Sequence, residues 1–457
     1  MVTLLVVLLA VHKAGSAGLV TPLALVAAVV LLRRPATMVA LAVGLTVLCE
    51  GPTFGFLHFT SHLYDQIYKG LTPLDMLVAL AVLAVGIDLI VRHRAPKVPR
   101  AMAPGLMLLL LAMIAGAVIG HAGGVSVRTV VLSENVLAYL LLLPLAVCNL
   151  ELDARQVKLA LGAAVALAIL KGAFGIVEVL GHYGQSIEGS STLTYYEPAA
   201  NWLIMVALLA IFAAVLLRAG PPTWMLVGAP LLIASLVLSY RRSFWIATVL
   251  GLLLVLLLGT TSLGRRMLLP AGLVVVLAVW LLGTIHFQAQ APIVKRVESL
   301  SPSSLSTNAE DRYRLDERAN VLGEIERHPI MGLGIRIPWE ATVQPLSVEH
   351  EEGRQYVHFA ALWFWLKLGI LGLLAYWVTL IGTAVLSWRV WRRSAEPLLR
   401  AFGLASLCGL VGLVVLETTA SFTGVDPRFT VLFAAQIGLL ALLDRTSGVE
   451  REQRLYR

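Results

Sequence analysis

Long apolar runs separated by short polar segments dominate the chain. About thirteen of them approach the ~20 residues that a helix needs to cross the hydrocarbon core of a bilayer. They lie near residues 17–33, 36–50, 73–92, 104–121, 130–149, 157–180, 199–218, 223–240, 242–259, 266–285, 357–387, 400–418 and 427–444. The runs lack the alternation of barrel strands. With a shorter N-terminal run as one more possible span, the pattern predicts an all-α polytopic membrane protein with about 12–14 transmembrane helices.

Composition strengthens this prediction. The chain is 58% hydrophobic and 14% charged, whereas soluble domains average about 45–50% and about 25%. The net charge of +8 would suggest a nucleic-acid partner in a soluble protein. Here the basic residues cluster in short loops between apolar runs, so topology explains most of the excess. We therefore predict membrane lipids and no nucleic acid as partners.

The basic loop residues also predict the orientation. Most of the basic residues in short loops fall on one side of the membrane, and the short loops of the other side hold Lys69, Arg128, Arg241, Arg242 and Arg428. The positive-inside rule then assigns the richer side to the cytoplasm. It predicts a cytoplasmic C-terminus and an outer location for residues 286–356.

Three regions follow from this topology: an N-terminal transmembrane bundle (1–285), an extracytoplasmic loop (286–356), and C-terminal transmembrane helices with a cytoplasmic tail (357–457). Within the loop we predict a helix from about Ala309 to Arg327. Its apolar side should carry Tyr313, Leu322 and Ile325. Pro329 follows the helix, and the pair Gly332 and Gly334 indicates a turn.

An arginine pair is the most informative candidate for chemistry. Arg241 and Arg242 lie between two apolar runs and face outward, against the positive-inside trend. Charges at a membrane edge are costly and mostly functional, and the guanidinium fork matches the oxygens of a phosphate or pyrophosphate. The alternative is a pair of snorkelling side chains that contact lipid headgroups.

His358 begins the apolar run at 357–387 on the same outer side. A neutral histidine there can accept a proton from a sugar hydroxyl or orient it, although a lone interfacial histidine is more often structural. The loop helix also mixes arginines with acids, including Glu317 and Glu324. Its charge spacing favours solvated surface pairs. Lys367 lies too far down the helix to join His358, and Glu417, near a span end, should be solvated.

Several stretches resemble, in order, motifs of the O-antigen ligase and polysaccharide polymerase superfamily. The segment SYRRSFW is similar to its Ser-x-Ser-Arg element, with Arg242 at the arginine position and Arg241 in place of the second serine. Arg314 followed by HPIMGLG resembles the loop element of the family, although Arg318 stands where a tryptophan is common. VHFAALWFWLKLGILG resembles the His-Asn element, with His358 at the histidine and departures at Phe359 and Lys367. A weaker Asn-Pro-Asn element resembles YYEPAANW, which contains Asn201. The likeness covers about residues 190–385.

The resemblance implies a metal-independent membrane glycosyltransferase that needs no cofactor. Its donor would be a glycan on undecaprenyl pyrophosphate, and its acceptor would be a lipid A core sugar or another lipid-linked glycan. The resemblance gives His358 the catalytic role and assigns the pyrophosphate to Arg241, Arg242 and Arg314. We add Arg318, Arg336 and Asn201 as further candidates. Ligation is favoured over polymerisation only slightly. The two branches share these motifs, and no single residue distinguishes them. A lipid-linked glycan transporter or flippase without chemistry is the alternative of a different class.

Overall fold

The computed structural model describes residues 30–49, 58–66, 70–181, 198–239, 241–260, 309–346 and 353–455. These ranges are helical and contain no β-strand, which confirms the predicted fold class. The helices are α1 (Pro35–Leu48), α2 (Pro73–Val91), α3 (Ala103–Ala122), α4 (Val127–Ser133), α5 (Asn135–Cys148), α6 (Ala154–Gly181), α7 (Pro198–Leu216), α8 (Thr223–Leu238), α9 (Arg242–Gly259), α10 (Ala309–Arg327), α11 (Ala360–Arg393), α12 (Pro397–Leu416) and α13 (Pro427–Leu455). Two 3₁₀ turns lie at His58–Leu63 and Gly353–Gln355.

Eight of these helices are long and apolar enough to cross a membrane, and nine if the bent pair α4 and α5 forms one span. The chain is therefore a multi-pass membrane protein. Two further apolar helices, α1 and α8, have 14 and 16 residues and are short for a span. The predicted span at 266–285, and most of that at 17–33, lie outside the described residues.

Two predicted spans are not continuous helices. The run predicted at 130–149 is bent by 49° between α4 and α5. The run predicted at 357–387 is broken inside α11, where Gly369 has φ 67° and ψ −163°. Only glycine adopts this backbone conformation readily. A Cβ at Gly369 would also overlap the backbone of Ile330 and Met331.

The loop after α10 fills this break. In an unbroken helix the amide of Ile370 would donate to the carbonyl of Leu366. Instead Ile370 N–H donates to the carbonyl of Ile330 at 3.0 Å, and Leu333 N–H donates to the carbonyl of Leu366 at 2.6 Å. The loop thus satisfies both groups that the break exposes, as buried backbone requires. Gly332 lies so close that an added Cβ would be 2.6 Å from the Gly369 nitrogen.

The helices alternate in direction, so the polar groups gather at two ends of the bundle. We call one end the basic end; there Arg92 and Arg94 pair with Glu151, Lys158 with Glu396, and Arg389 with Asp444. The other is the site end, where α9 and α11 begin and α12 stops. The segments that these ion pairs connect were predicted to share one side of the membrane, and they lie at one end of the bundle. The cytoplasmic assignment of the basic end stays a prediction.

Candidate functional site

A histidine and a carboxylate form the centre of the site end. The Glu317 carboxylate lies 3.0 and 3.2 Å from His358 Nδ1 and accepts the His358 backbone N–H at 2.8 Å. The two side chains are 3% and 12% exposed. An ionised carboxylate can only accept hydrogen bonds. When the carboxylate is ionised and the ring is neutral, Nδ1 donates to Glu317 and Nε2 is the nitrogen that carries the lone pair.

The loop helix α10 places Glu317 against the membrane helices. The helix ends match the predicted Ala309–Arg327, but the prediction of a solvated charged face is wrong for Glu317 and Glu324, because both are buried. They share a buried stripe with Tyr313, Asn320 and Val321, at spacings of three, four and seven residues.

Asn320 shows why this stripe is polar. Its side-chain oxygen accepts the backbone N–H groups of Val343 and Gln344, and its amide donates to the carbonyl of Gln344. The helix therefore packs against loop backbone, which needs polar partners. Leu322, predicted on the apolar side, is instead 37% exposed, whereas Ile325 is buried as expected.

Aromatic rings hold the imidazole from two sides. Tyr356 and Tyr313 meet the His358 ring edge-to-face at centroid distances of 4.9 and 5.9 Å. Burial, with a smaller contribution from nearby Glu317, raises the pKa of Tyr313 to about 12. Tyr313 therefore stays neutral at physiological pH. These contacts fix the orientation of a histidine that sequence reasoning treats as more often structural than catalytic.

The backbone beside His358 is tied to the loop between α12 and α13. Ser421 donates through Oγ to the carbonyl of Val357 at 2.5 Å, and the Ala360 N–H donates to the carbonyl of Glu417 at 3.1 Å. The Glu417 carboxylate accepts hydrogen bonds from the Tyr376 hydroxyl at 2.5 Å and from the Thr423 amide at 2.7 Å. Glu417 is 1% exposed, so its predicted solvation is wrong. Glu417 joins Tyr376 and Thr423 in a buried polar network. Its position near the end of a span did not indicate this network.

Two arginines share a pocket with this pair. Arg314 and Arg318, one helical turn apart on α10, line it together with Glu317 and His358. The pocket holds about 90 Å³. Arg318 also sits over the Phe359 ring at 5.7 Å. Arg318 and Phe359 both depart from the motifs that these segments resemble, and the two residues contact each other.

The arginine pair at the start of α9 lies at the same end of the bundle. Phe244, two residues into the helix, packs against Phe422 at 6.2 Å, beside the Ser421 that anchors Val357. Arg241 and Arg242 are both partly exposed. The structure brings Arg314, Arg318 and His358 into one pocket and puts the α9 pair outside its lining.

The remaining candidates occupy other places. Asn201 lies in the first turn of α7, fully buried, and neither polar atom of its side chain has a hydrogen-bond partner among the described residues. Arg336, at φ 66°, donates through Nε to Ser133 Oγ at 2.7 Å. Lys367 is buried where the loop fills the break in α11, and it donates to the carbonyl of Ile337. This location agrees with leaving Lys367 out of the catalytic set.

Glu317 is the candidate site residue that sequence reasoning missed. One weak signal was present. Glu317 falls on a stripe with Tyr313, Asn320, Val321 and Glu324, where acids and an amide lie among apolar residues, but the sequence does not reveal which residues that stripe contacts. Within the described residues, no group of three or more His, Cys, Asp or Glu side chains is placed to hold a metal ion. Metal independence stays a prediction.

Fold and site define a polytopic membrane protein. At one end of its helical bundle a histidine–carboxylate pair shares a pocket with Arg314 and Arg318. The sequence model of the family described as O-Antigen ligase matches residues 227–377, from within α8 into α11. This match supports placing the chain in the O-antigen ligase superfamily, whose members are membrane glycosyltransferase-like enzymes. It includes the α9 arginines, α10 and His358, but not Asn201. No curated protein sequence matches the chain.

Proposed function

We propose that the protein transfers a glycan from undecaprenyl pyrophosphate to an acceptor sugar hydroxyl at the outer face of the bacterial inner membrane. Ligation to lipid A core is the favoured reaction, and polymerisation onto another lipid-linked unit is the alternative within the same superfamily. The observation that carries the proposal is the buried Glu317–His358 pair beside Arg314 and Arg318. The basic end would then face the cytoplasm, with the C-terminus.

The histidine acts as the general base in this proposal. With Nδ1–H held by Glu317, Nε2 accepts the proton of the acceptor hydroxyl. The acceptor oxygen forms a bond to the anomeric carbon of the donor, and the bond from that carbon to the pyrophosphate oxygen breaks. The pyrophosphate leaves with the bonding electrons. Glu317 stabilises the imidazolium that results, because the carboxylate is buried against it.

The arginines stabilise the leaving group. The charge that develops on the pyrophosphate is best met by cations fixed in place before the reaction. Arg314 and Arg318 lie on one face of α10, next to the base. Arg241 and Arg242 begin α9 at the same end and can bind the more distant phosphate or the donor headgroup. Since pyrophosphate is a good leaving group, cations and one base suffice for the chemistry.

The test uses purified protein and a synthetic undecaprenyl-pyrophosphate glycan, with lipid A core or additional donor as acceptor in separate tubes. Product is followed by gel and mass spectrometry. We expect His358→Ala to lower transfer by ~10²–10⁴-fold, the usual contribution of a general base. His121→Ala is the matched control, because His121 is an exposed histidine at the same end. Activity should survive EDTA.

The two acceptors separate the alternatives. Product that requires lipid A core indicates a ligase, whereas a ladder from donor alone indicates a polymerase. Donor that stays intact with every acceptor, while the wild-type protein moves it across a vesicle membrane, would replace the enzyme with a transporter. Full activity of His358→Ala would remove the histidine from the mechanism.

A further inference from the structure

A second pocket lies at the basic end, far along α11 from His358. It is formed between α11 and α12 and encloses about 420 Å³, which is within the ~300–1,000 Å³ of small-molecule sites. One part of its lining is apolar and includes Ile381, Ala384 and Leu407; the other contains Trp388 and the arginines 389, 392 and 393. Nothing in the transfer reaction uses this pocket.

The apolar and the charged parts are separated along the axis of α11. Ile381 and Arg392 are eleven residues apart, which is roughly 16 Å along a helix at ~1.5 Å per residue. That length is about half of a ~30 Å hydrocarbon core. Ile381 is 60% exposed and Trp388 is 48% exposed, so this wall faces the lipid. A tryptophan near the end of a span lies at the headgroup level. The pocket therefore reaches from the headgroups through one leaflet.

The arginines differ in what they contact. Arg389 and Arg393 both face the Asp444 carboxylate, at 3.4 and 3.8 Å. The Arg392 guanidinium instead lies over the rings of Trp388 and Trp391, at 5.7 and 5.4 Å. A cation over a ring face is attracted to it, and these ring contacts do not use up the five N–H donors of the guanidinium. Among the side chains that the structure describes, these three arginines meet one aspartate, which leaves an excess of two positive charges in that set.

We propose that this pocket binds an anionic phospholipid of the leaflet at the basic end. Arg392, oriented by the two tryptophans, donates to the phosphate oxygens, and Arg389 and Arg393 add positive charge. One acyl chain lies along Ile381, Ala384 and Leu407. A basic pocket between helices at a membrane edge matches a phosphate headgroup in charge. The apolar depth selects a lipid over free inorganic phosphate, which would leave that wall without a partner.

The experiment measures lipid binding to the full chain by native mass spectrometry. Delipidated protein in nonionic detergent is titrated with phosphatidylglycerol or with phosphatidylcholine, and inorganic phosphate is added in a third arm. We expect phosphatidylglycerol to bind in preference to phosphatidylcholine, and excess phosphate not to displace it. Arg392→Gln should weaken phosphatidylglycerol binding by about tenfold, as expected when one charge-assisted contact is lost.

Two variants complete the test. Arg155→Gln is the matched control, since Arg155 is an exposed arginine at the start of α6, also at the basic end, and it should bind lipid like the wild type. Ala384→Phe fills the apolar part without changing charge and should also weaken binding; thermal unfolding confirms that each variant is folded. Equal binding of both lipids, displacement by phosphate, or equal effects of Arg392→Gln and Arg155→Gln would each overturn the proposal.

Discussion

The two ends of the bundle carry similar charged residues but use them differently. At the basic end, Lys158 near the start of α6 pairs with Glu396, which precedes α12, and the two side chains are 42% and 43% exposed. At the site end, Glu317 is almost fully buried and holds the ring and the backbone of His358. An exposed pair is screened by water and contributes little, whereas a buried carboxylate needs its partners and fixes them in turn. Burial, rather than charge, distinguishes a site from a surface.

The largest expected effect comes from removing the buried carboxylate. Glu317→Ala leaves His358 without the group that orients it and should reduce kcat by ~10³-fold, within the range of a general base that no longer works. The KM for the donor should change little, because the arginines remain. Glu326→Ala, an exposed glutamate on the same helix, is the matched control. Glu317→Asp should recover part of the activity if the carboxylate positions the ring. Equal losses in all three variants would mean that α10 matters only as a structural element.

The next prediction concerns donor binding by Arg314 at the site end. Arg314→Ala should raise the KM for the lipid-linked donor and lower kcat/KM by ~10²-fold, about the effect of losing one donor to a developing oxyanion. Arg314→Lys should recover little of this loss if both guanidinium arms contact phosphate. Arg312, exposed on the same helix, supplies the control, and Arg312→Ala should stay within about twofold of the wild type, as exposed contacts do. Initial rates over a donor titration separate the two parameters. An unchanged KM in Arg314→Ala would remove Arg314 from the donor site.

The break in α11 gives the next effect, on stability. Gly369→Ala places a Cβ where only glycine fits, at positive φ and against the Ile330 backbone. Strain of this kind costs ~1–3 kcal/mol, so we expect a clearly lower unfolding temperature in detergent. Gly86→Ala, in α2 with open space around its Cα, is the control and should be neutral or slightly stabilising. If the two variants have the same unfolding temperature, the backbone conformation at Gly369 is not required for the loop to pack against α11.

Much of the fold could be predicted from hydropathy, because lipid requires helices of nearly fixed length. The loop helix from Ala309 to Arg327 was also predictable, since its apolar residues follow helical spacing and Pro329 follows its end. The break at Gly369 was not, because it depends on a distant loop that supplies two hydrogen bonds. Motif resemblance led to His358 and Arg314, which share one pocket.

The burial of Glu317 was not predicted, and the reason is physical. Local spacing cannot separate it from exposed Glu326, because both fit helical ion pairs. What distinguishes them is the partner that each meets after folding, and that partner is 41 residues away along the chain. The same holds for Glu417, whose partner Tyr376 lies on another helix. Long-range polar contacts leave little trace in a local pattern, whereas membrane spans are local by nature.

The smallest effect returns to the basic end and completes the comparison. Lys158→Ala removes an exposed pair with Glu396 and should cost no more than ~0.5 kcal/mol, the usual size of such pairs. Transfer activity should be unchanged, because the pair is at the opposite end from His358. Thermal unfolding at low and high salt checks the size, and Glu396→Ala alone and combined with Lys158→Ala gives the coupling energy of the pair. A coupling well above 1 kcal/mol, or a loss of transfer, would show that charges at the basic end also hold the bundle in its active arrangement. The two ends would then differ in where their charged pairs lie, and no longer in how much those pairs contribute.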